Sequence, residues 1–420
     1  MFWCTLFDLL RIGFRRQWPP PARATGHALT LPMIQKNLSI ATLLEQASSA
    51  LESWVGGGPR WSAVAPGRVN VIGEHTDYNG GWVLPMAIDR YTVIVAAPGM
   101  APHGIRVRSL TLAQEAQFSA IDPAAGPMPW ARYLQGVVAG FIDRGATIPA
   151  LDLIIASSVP AGGGLSSRAA LTVAMCSLLQ AVTGVHLTAQ ERIAIAIDAE
   201  RHFAGVPCGN MDQTVVEKAR ADHALLIDCA TGEVSPVAFA EARVLVIHSG
   251  VSHQLADGAY ALRRTECARA CEQLNVESLR SVTLNELSGL EHDPVIFKRA
   301  RHVVSENQRV LDASAALRQR DWPQLGKLMR KSHESLRGDY EVSCEALDCL
   351  VELADAQPGV FGARLTGGGF GGCVIVLVEP ATLVEAATAI SASYQSRTGL
   401  TPQCYAVRAA DGADRLKALP

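Results

Sequence analysis

The sequence predicts an α+β fold, and two observations support this prediction. First, helical and strand patterns alternate irregularly along the chain, whereas a parallel α/β sheet would repeat strand–helix–strand units. Second, the stretch 366–373, "TGGGFGGC", contains the spacing G-x-G-x-x-G but runs into the strand "VIVLV". A dinucleotide-binding fingerprint has to open a helix, so a Rossmann fold is excluded. The glycines then indicate either a hairpin or a close approach of the backbone to another group.

Length and composition describe an ordinary globular chain. The 420 residues suit two domains, and a net charge of -3 with no long basic run gives no support for nucleic-acid binding. The ten cysteines form no C-x-x-C pair and have no matching histidine pair, so we expect reduced thiols in a cytoplasmic protein.

Residues 1–33 are predicted to be a disordered extension, and Met33 is a candidate start. Asp8 interrupts the apolar run near the beginning, and the arginines follow that run instead of preceding it, which is the reverse of a secretory signal. No later segment approaches the roughly 18 uninterrupted apolar residues that a membrane span needs, so no membrane partner is expected.

In the first half, helices and strands follow from apolar periodicity and from Gly and Pro boundaries. Thr188 and Glu191 are spaced as a capping box at the start of one of these helices. The predicted helices are "SIATLLEQASSALESW", "WARYLQGVVAGFIDRG", "AALTVAMCSLLQAVTG" and "TAQERIAIAIDAERHFAG". The predicted strands are "RYTVIVAAP", "GIRVRSL" and "LDLIIASS".

The second half is richer in helices. Two strands, "HALLIDC" and "RVLVIHSG", are expected to flank a turn at "ATGE". Helices are predicted at roughly 257–275, 294–318, 322–336, 344–356 and 380–396, with a final strand "PQCYAVRAA". The strand–loop–strand stretch "GARLTGGGFGGCVIVLVEP" lies between the last two helices.

The stretch "SSVPAGGGLSSR", residues 157–168, places glycines between a buried strand and a helix. Free backbone amides and the positive end of a helix dipole would meet there, which is the arrangement that binds a phosphate. No lysine follows the glycines, so this is not a P-loop. A simple strand-to-helix turn is the other interpretation that the local sequence allows.

Residues 65–88, "APGRVNVIGEHTDYNGGWVLPMAI", closely resemble the signature of galactokinases, in the GHMP superfamily of small-molecule kinases. "VPAGGGLSS" resembles the ATP-binding loop of that superfamily, and "GARLTGGGFGGC" resembles its third motif. "CGNMDQ", "YALRRTEC" and "LRGDYEVSCEALDCLVELA" are also similar to galactokinase segments. The resemblance covers about residues 38–412 in the correct order.

The resemblance implies the two-domain GHMP kinase fold. A ribosomal-S5-like N-terminal domain would occupy 34–240 and a ferredoxin-like C-terminal domain 241–412, followed by a tail at 413–420. ATP and a sugar would meet in the cleft between the domains. The implied partners are galactose and ATP, with Mg²⁺ as cofactor and a monomer or weak homo-oligomer as the assembly.

The resemblance also implies roles for individual residues. Carboxylates suit a sugar because they accept charge-assisted hydrogen bonds from its hydroxyl groups. The sugar-binding residues carried over are Glu74, His75, Thr76, Asp77 and Tyr260. Asp212 resembles the base that takes the proton of the anomeric hydroxyl, and Arg68 resembles the arginine that pairs with this aspartate and stabilises the transition state. For each of these residues, a purely structural role such as an ion pair, a turn or a packing contact is the alternative.

The ATP loop departs from the family pattern at Arg168. The expected loop residues are Gly162, Gly163, Gly164, Leu165, Ser166, Ser167 and Arg168. Galactokinases typically have a third serine at position 168, which ligates Mg²⁺ beside a glutamate that corresponds to Glu200. An arginine has no acceptor atom for a cation and repels it. Three outcomes are open: Arg168 contacts the ATP phosphates, or it turns outward and leaves Mg²⁺ to Glu200, ATP and water, or catalysis is impaired.

The leading hypothesis is therefore a galactokinase, which makes galactose 1-phosphate and ADP from galactose and ATP. One alternative is a galactose- and ATP-binding sensor that has lost catalysis, which Arg168 favours. Another is a kinase for a related sugar such as N-acetylgalactosamine. Asn210 stands where the family usually has a hydrophobic residue beside the base, and this change bears on sugar preference.

Overall fold

The structure, a computed structural model, describes residues 34–160, 162–251 and 256–416, without the side chains of residues 256 and 257. The extension predicted over 1–33 lies outside the described residues, as does the end of the predicted tail from 417 on. Within the described part of the chain, none of the helices combines the length and hydropathy needed to span a bilayer.

The described elements mix helices with three separate sheets, which confirms the predicted α+β class. The α-helices are α1 (Ile40–Val55), α2 (Arg132–Ile142), α3 (Ser167–Thr183), α4 (Ala189–Asp198), α5 (Met211–Lys218), α6 (Ala256–Leu274), α7 (Pro294–Arg318), α8 (Trp322–Gly338), α9 (Glu345–Asp355) and α10 (Leu383–Thr398). The strands are β1 (Trp61–Asn70), β2 (Trp82–Val83), β3 (Pro85–Pro98), β4 (Gly104–Ser109), β5 (Gln114–Ser119), β6 (Leu151–Ser157), β7 (His223–Asp228), β8 (Val234–Ala238), β9 (Arg243–His248), β10 (Val360–Thr366), β11 (Cys373–Val378) and β12 (Gln403–Val407).

The first sheet has the order β1-β3-β6-β4-β5, with only the β4–β6 pair parallel. Alternate residues of β3 point to opposite faces, as the two-residue period of a strand requires. Val93 and Val95 pack under α1, and Ile94 and Ala96 pack under α2 and α3. This double cover fixes the end of β6, from which the glycine loop leaves.

Local signals in the sequence start and stop these helices as predicted. Ser39 caps α1 by accepting a hydrogen bond from the Thr42 amide, and Gly56 ends the helix in a left-handed conformation. Thr188 and Glu191 form the predicted capping box of α4. A π-helical turn, Ala199–Phe203, then continues α4 and carries Glu200.

The second large sheet is antiparallel, in the order β10-β11-β9-β12. The loop 367–372 joins β10 to β11 as a hairpin, which confirms the strand–loop–strand prediction. Helices from the second half of the chain cover one face of this sheet, with Leu336, Leu347, Leu350 and Ile390 among the buried residues.

The division predicted at residue 240 stays a prediction, and it falls between β8 and β9. A shared core crosses that point, because Val69 and Ile72 pack in one cluster with Val246 and Ile375. The start of the predicted tail is bound to the first half, where the Ala413 amide donates to the Val216 carbonyl at 2.8 Å.

Five elements, β1, β2, β5, β8 and α5, were not predicted from the sequence, and β8 changes a connection that was predicted. "HALLIDC" and "RVLVIHSG" were expected to flank the turn at "ATGE" directly, but a further strand, β8, lies between that turn and β9 and pairs with β7. Pro236 lies within β8, and a proline in a short run argues against a strand unless the strand is at an edge. β8 is an edge strand of the three-stranded sheet β2-β7-β8, where a proline is tolerated.

Candidate active site

Arg68 lies at the centre of the candidate site, near the end of β1. Strand β1 approaches the glycine loop closely because residue 67 is a glycine: a Cβ there would lie 2.9 Å from the Leu165 carbonyl. The Arg68 side chain is buried, and its guanidinium donates two hydrogen bonds to Asp212, Nε to Oδ1 at 2.8 Å and Nη2 to Oδ2 at 2.6 Å. Its third group, Nη1, donates to the Gly164 carbonyl at 2.5 Å. Arg68 therefore joins the base region to the glycine loop.

Asp212 lies in the first turn of α5 and receives donors on both carboxylate oxygens. The Ser166 hydroxyl donates to Oδ2 at 2.5 Å. Ser166 has φ +57°, a left-handed conformation that is uncommon for a residue other than glycine, and strain of this kind is often found at functional sites. The structure thus brings three separate sequence motifs to one carboxylate.

The glycine loop leads from β6 into α3, as predicted. Gly162 and Gly164 have positive φ angles of 71° and 70°, and Leu165 is buried beneath the loop. α3 begins at Ser167, so the positive end of its dipole faces the loop. Gly163 lies near His248 and Cys373 of the second large sheet. The loop therefore lies where the two halves of the chain meet.

Glu74 is almost completely buried and is held by the hairpin loop. Its Oε1 accepts hydrogen bonds from the Gly367 amide at 2.9 Å and the Thr366 hydroxyl at 3.0 Å. Its Oε2 accepts from the Asn70 side-chain amide at 3.0 Å. The hairpin glycines thus bring the backbone close to the first motif. The loop is therefore both a hairpin and a close approach of the backbone to another group, the two interpretations that the sequence allowed.

His75 has a positive φ of 64° and lies inside a group of aromatic rings. Its Nδ1 accepts from the Tyr78 hydroxyl at 2.7 Å, and its Nε2 donates to the Gly368 carbonyl at 3.2 Å. Burial, reinforced by His302, lowers the pKa of His75 to about 3, so the ring is neutral. The Tyr260 ring lies 5.4 Å from the His75 ring, centroid to centroid, which places the predicted tyrosine beside the first motif.

Thr76 and Asp77 differ in exposure. Thr76 is fully buried, and its hydroxyl bonds within the turn to the carbonyls of Gly73 and Trp82, at 2.9 and 2.7 Å. Asp77 is half-buried and touches Gly209, where a Cβ would collide with its carboxylate. Burial and the nearby Asp212 raise the pKa of Asp77 to about 7.

Arg168 turns toward Glu200. Its Nε lies 3.6 Å from Oε2 of Glu200, and Tyr133 also interacts with the guanidinium. The other oxygen of Glu200, Oε1, accepts from the Gln213 side-chain amide at 2.7 Å. Burial raises the pKa of Glu200 to about 7, although Arg168 opposes this shift.

Three buried residues behind the sugar motif were not identified from the sequence. Arg364 is fully buried and donates to Glu74 Oε1 at 3.4 Å. His302 donates through Nε2 to the Glu74 carbonyl at 3.1 Å, and Glu306 accepts the Gly73 amide at 3.0 Å. Arg364 lies within the quoted third motif, whereas His302 and Glu306 lie on α7 with no motif around them.

Comparison with protein-family models gives three matches in chain order. A galactokinase galactose-binding signature matches residues 53–98, the GHMP kinase N-terminal domain matches 132–218, and the GHMP kinase C-terminal domain matches 313–396. The first match contains the whole sugar motif and Arg68. The second contains the glycine loop, Glu200 and Asp212.

Curated relatives match over most of their length. The chain is 43% identical to human galactokinase over 388 residues, which is 89% of this chain and 97% of the relative. It is 44% identical to the galactokinase of Chloroflexus aurantiacus over 360 residues, 84% of this chain and 92% of that relative.

Solved structures of GHMP kinases, a galactokinase among them, superpose on this chain. A galactokinase from Lactococcus lactis, crystallised in complex with galactose, superposes with a TM-score of 0.83 at 29% identity, covering 88% of this chain and 99% of that one. A mevalonate kinase from Methanococcus jannaschii, with a TM-score of 0.61 at 19% identity over 84% of this chain and 99% of that one, shares the fold alone. The predicted GHMP kinase fold is thereby confirmed, and the chain belongs to the galactokinase family.

Proposed function

We propose that this chain transfers the γ-phosphate of ATP to the C1 hydroxyl of α-D-galactose, giving galactose 1-phosphate and ADP in galactose catabolism by the Leloir pathway. The observation that carries the proposal is the Asp212 carboxylate, which Arg68 and Ser166 hold between the galactose-signature strand and the glycine loop. A phosphoryl-transfer enzyme needs a proton acceptor at this junction of acceptor and donor substrates.

In this mechanism Asp212 takes the proton of the C1 hydroxyl as that oxygen forms a bond to the γ-phosphorus. The bond between the γ-phosphorus and the β,γ-bridging oxygen breaks, and ADP leaves with that oxygen. Arg68 holds the Asp212 carboxylate in place, and its charge would stabilise the negative charge that develops on the transferred group. The glycine-loop amides and the start of α3 bind the remaining phosphate oxygens.

The sugar would lie against the first motif. Asp77 is the proposed acceptor for galactose hydroxyls, with Glu74, His75 and Tyr260 lining the same region. The Thr76 hydroxyl is used within its own turn, so its proposed contribution is to hold the motif in shape.

Mg²⁺ enters the proposed reaction with ATP, as part of the nucleotide substrate. Glu200 is the predicted protein ligand, but its surroundings do not fit an ion held by the protein. One carboxylate oxygen accepts the Gln213 amide, and the other faces the Arg168 guanidinium. Hence no step of the mechanism is assigned to a protein-bound metal.

The cytoplasm, where thiols stay reduced, is the proposed location, and a monomer or weak homo-oligomer is the proposed assembly. Cysteines without a disulfide support the location, and within the described residues these are Cys176, Cys208, Cys229, Cys267, Cys271, Cys344, Cys349, Cys373 and Cys404.

The test is ADP release by the purified full-length chain with ATP and Mg²⁺, comparing no sugar, galactose, N-acetylgalactosamine and glucose. Galactose-dependent turnover that exceeds turnover with the other sugars is expected. Galactose binding without turnover on any sugar would contradict the proposal in favour of a sensor. Preferred turnover of N-acetylgalactosamine would contradict it in favour of a different sugar kinase.

A further inference from the structure

The Glu200 carboxylate has a cationic partner within the protein itself. Arg168 is the second residue of α3, and its Nε lies 3.6 Å from Glu200 Oε2. The Glu200 side chain is 3% exposed, so the charge of this carboxylate is almost fully removed from water. A buried charge is stable only when a partner compensates it, and Arg168 is the residue that faces it.

Arg168 interacts with Tyr133 as well as with Glu200, and the geometry of its pair with Glu200 leaves it able to exchange that carboxylate for another anion. A separation of 3.6 Å is longer than a hydrogen bond, and the Arg168 side chain is 48% exposed. The residue lies at the end of the glycine loop, directly after Ser167. A guanidinium at that place is within the loop where the proposed function puts the ATP phosphates, and its planar fork binds phosphate oxygens in pairs.

A divalent ion at Glu200 would have to share this space with the guanidinium. Like charges at such a distance repel, and an arginine has no acceptor atom to offer the ion. Asp212 does not relieve the conflict, because its two oxygens already accept from Arg68 and Ser166.

The structure assigns to Arg168 the role of a cation supplied by the protein: we infer that it pairs with Glu200 when no nucleotide is bound and with a phosphate group when ATP is bound. This inference rests on the proposed use of ATP and deepens it. Its consequence is that the enzyme binds ATP with little help from Mg²⁺, because the protein itself supplies the positive charge at this position.

Calorimetric titration of ATP into the full-length chain without galactose tests the inference, once with excess Mg²⁺ and once with EDTA. The wild type is expected to bind metal-free ATP within about threefold of its affinity for MgATP. Arg168→Ser is expected to weaken metal-free ATP by about tenfold or more, and MgATP by less, because only MgATP brings a replacement charge. Arg144→Ser, at an exposed arginine that donates to the Gly140 carbonyl, is the matched control and should change neither affinity.

The inference is overturned if the wild type binds metal-free ATP far more weakly than MgATP and Arg168→Ser shows the same ratio between these two affinities. A second variant, Glu200→Gln, keeps the test decisive if Arg168→Ser fails to fold. An equal effect of Glu200→Gln on ATP with and without Mg²⁺ supports the inference, whereas selective weakening of MgATP by about tenfold makes Glu200 a metal ligand and contradicts it.

ADP release with galactose, measured on the same preparations, separates this inference from the proposed function. Metal-independent ATP binding without galactose turnover would support the role of Arg168 and contradict the kinase. Galactose turnover with strongly metal-dependent ATP binding would support the kinase and contradict the role inferred for Arg168.

Discussion

Two arginine–carboxylate pairs face the same site and are built differently. Arg68 grips Asp212 with two hydrogen bonds of 2.8 and 2.6 Å, and its side chain is 7% exposed. Arg168 lies 3.6 Å from Glu200 and is about half exposed. An arginine and a carboxylate thus make a fixed, buried clamp in one place and a longer, more exposed contact in the other. The difference is that two nitrogens of the Arg68 guanidinium donate to the carboxylate in a buried place, whereas Arg168 approaches its carboxylate through one nitrogen and is partly exposed.

The backbone around each pair explains this difference. Arg68 projects from β1, which pairs with β3 along its whole length and is tied to the glycine loop by the Arg68 amide. Arg168 projects from the first turn of α3, at the end of a loop shaped by glycines. Backbone hydrogen bonds to β3 on one side and to the glycine loop on the other thus hold Arg68 in place, whereas Arg168 lies in the first turn of its helix.

Breaking the fixed pair should give the largest effect. Asp212→Asn keeps the shape of the side chain but removes the proton acceptor, so we expect kcat to fall by roughly 10²–10⁴-fold while the affinity for galactose changes by less than about threefold. Turnover is measured by ADP release and binding by calorimetry. Asp198→Asn, at an exposed position, is the control. A variant that keeps more than about a tenth of wild-type turnover would show that Asp212 is not the base.

A third arginine–carboxylate pair, Arg364 with Glu74, is buried on both sides. Arg364 is fully buried and is the cation beside the buried Glu74, so Arg364→Met should lower the free energy of unfolding by about 3–5 kcal/mol. Arg397→Met breaks an exposed pair with Glu352 and should lower the free energy of unfolding far less. Urea denaturation of both variants gives the comparison. Equal losses in the two variants would mean that burial does not set the strength of these pairs.

Contiguous motifs made part of this site predictable from the sequence. The strand–glycine–helix order identified the loop, and the resemblance identified Arg68 and Asp212, because each lies in a short run with a recognisable pattern. Most helices and strands followed from local periodicity and caps. β8 did not, since its run is short and contains Pro236.

The support behind the sugar motif was not predictable in this way. Arg364 meets Glu74 across 290 residues of chain, and His302 reaches the Glu74 carbonyl from a helix whose pattern shows only that it packs. Nor does the sequence show which way Arg168 turns. That depends on a buried carboxylate on a π-helical turn, and a single i→i+5 turn leaves no periodic signal in the sequence.

Asp77 differs from the paired carboxylates, because burial raises its pKa by more than Arg68 lowers it. Arg68 acts on Asp77 only from a distance, and burial with Asp212 raises the pKa of Asp77 to about 7. The ionised form is the better acceptor for sugar hydroxyls, so galactose affinity should weaken as the pH falls below about 7, by up to about tenfold per pH unit. In folding the sign is opposite, because a carboxyl with a raised pKa holds its proton in the folded state and favours folding at lower pH, a benefit that is lost as the pH rises through about 7.

Calorimetric titration of galactose between about pH 6 and about pH 8 measures this dependence, in two buffers of different ionisation enthalpy. Proton release on binding is expected at the lower pH, because the sugar selects the ionised carboxylate. Asp77→Asn should flatten the profile and remove the buffer dependence. If the variant keeps the wild-type profile, the titrating group lies elsewhere. Glu200, whose pKa burial also raises to about 7, is then the carboxyl to substitute next.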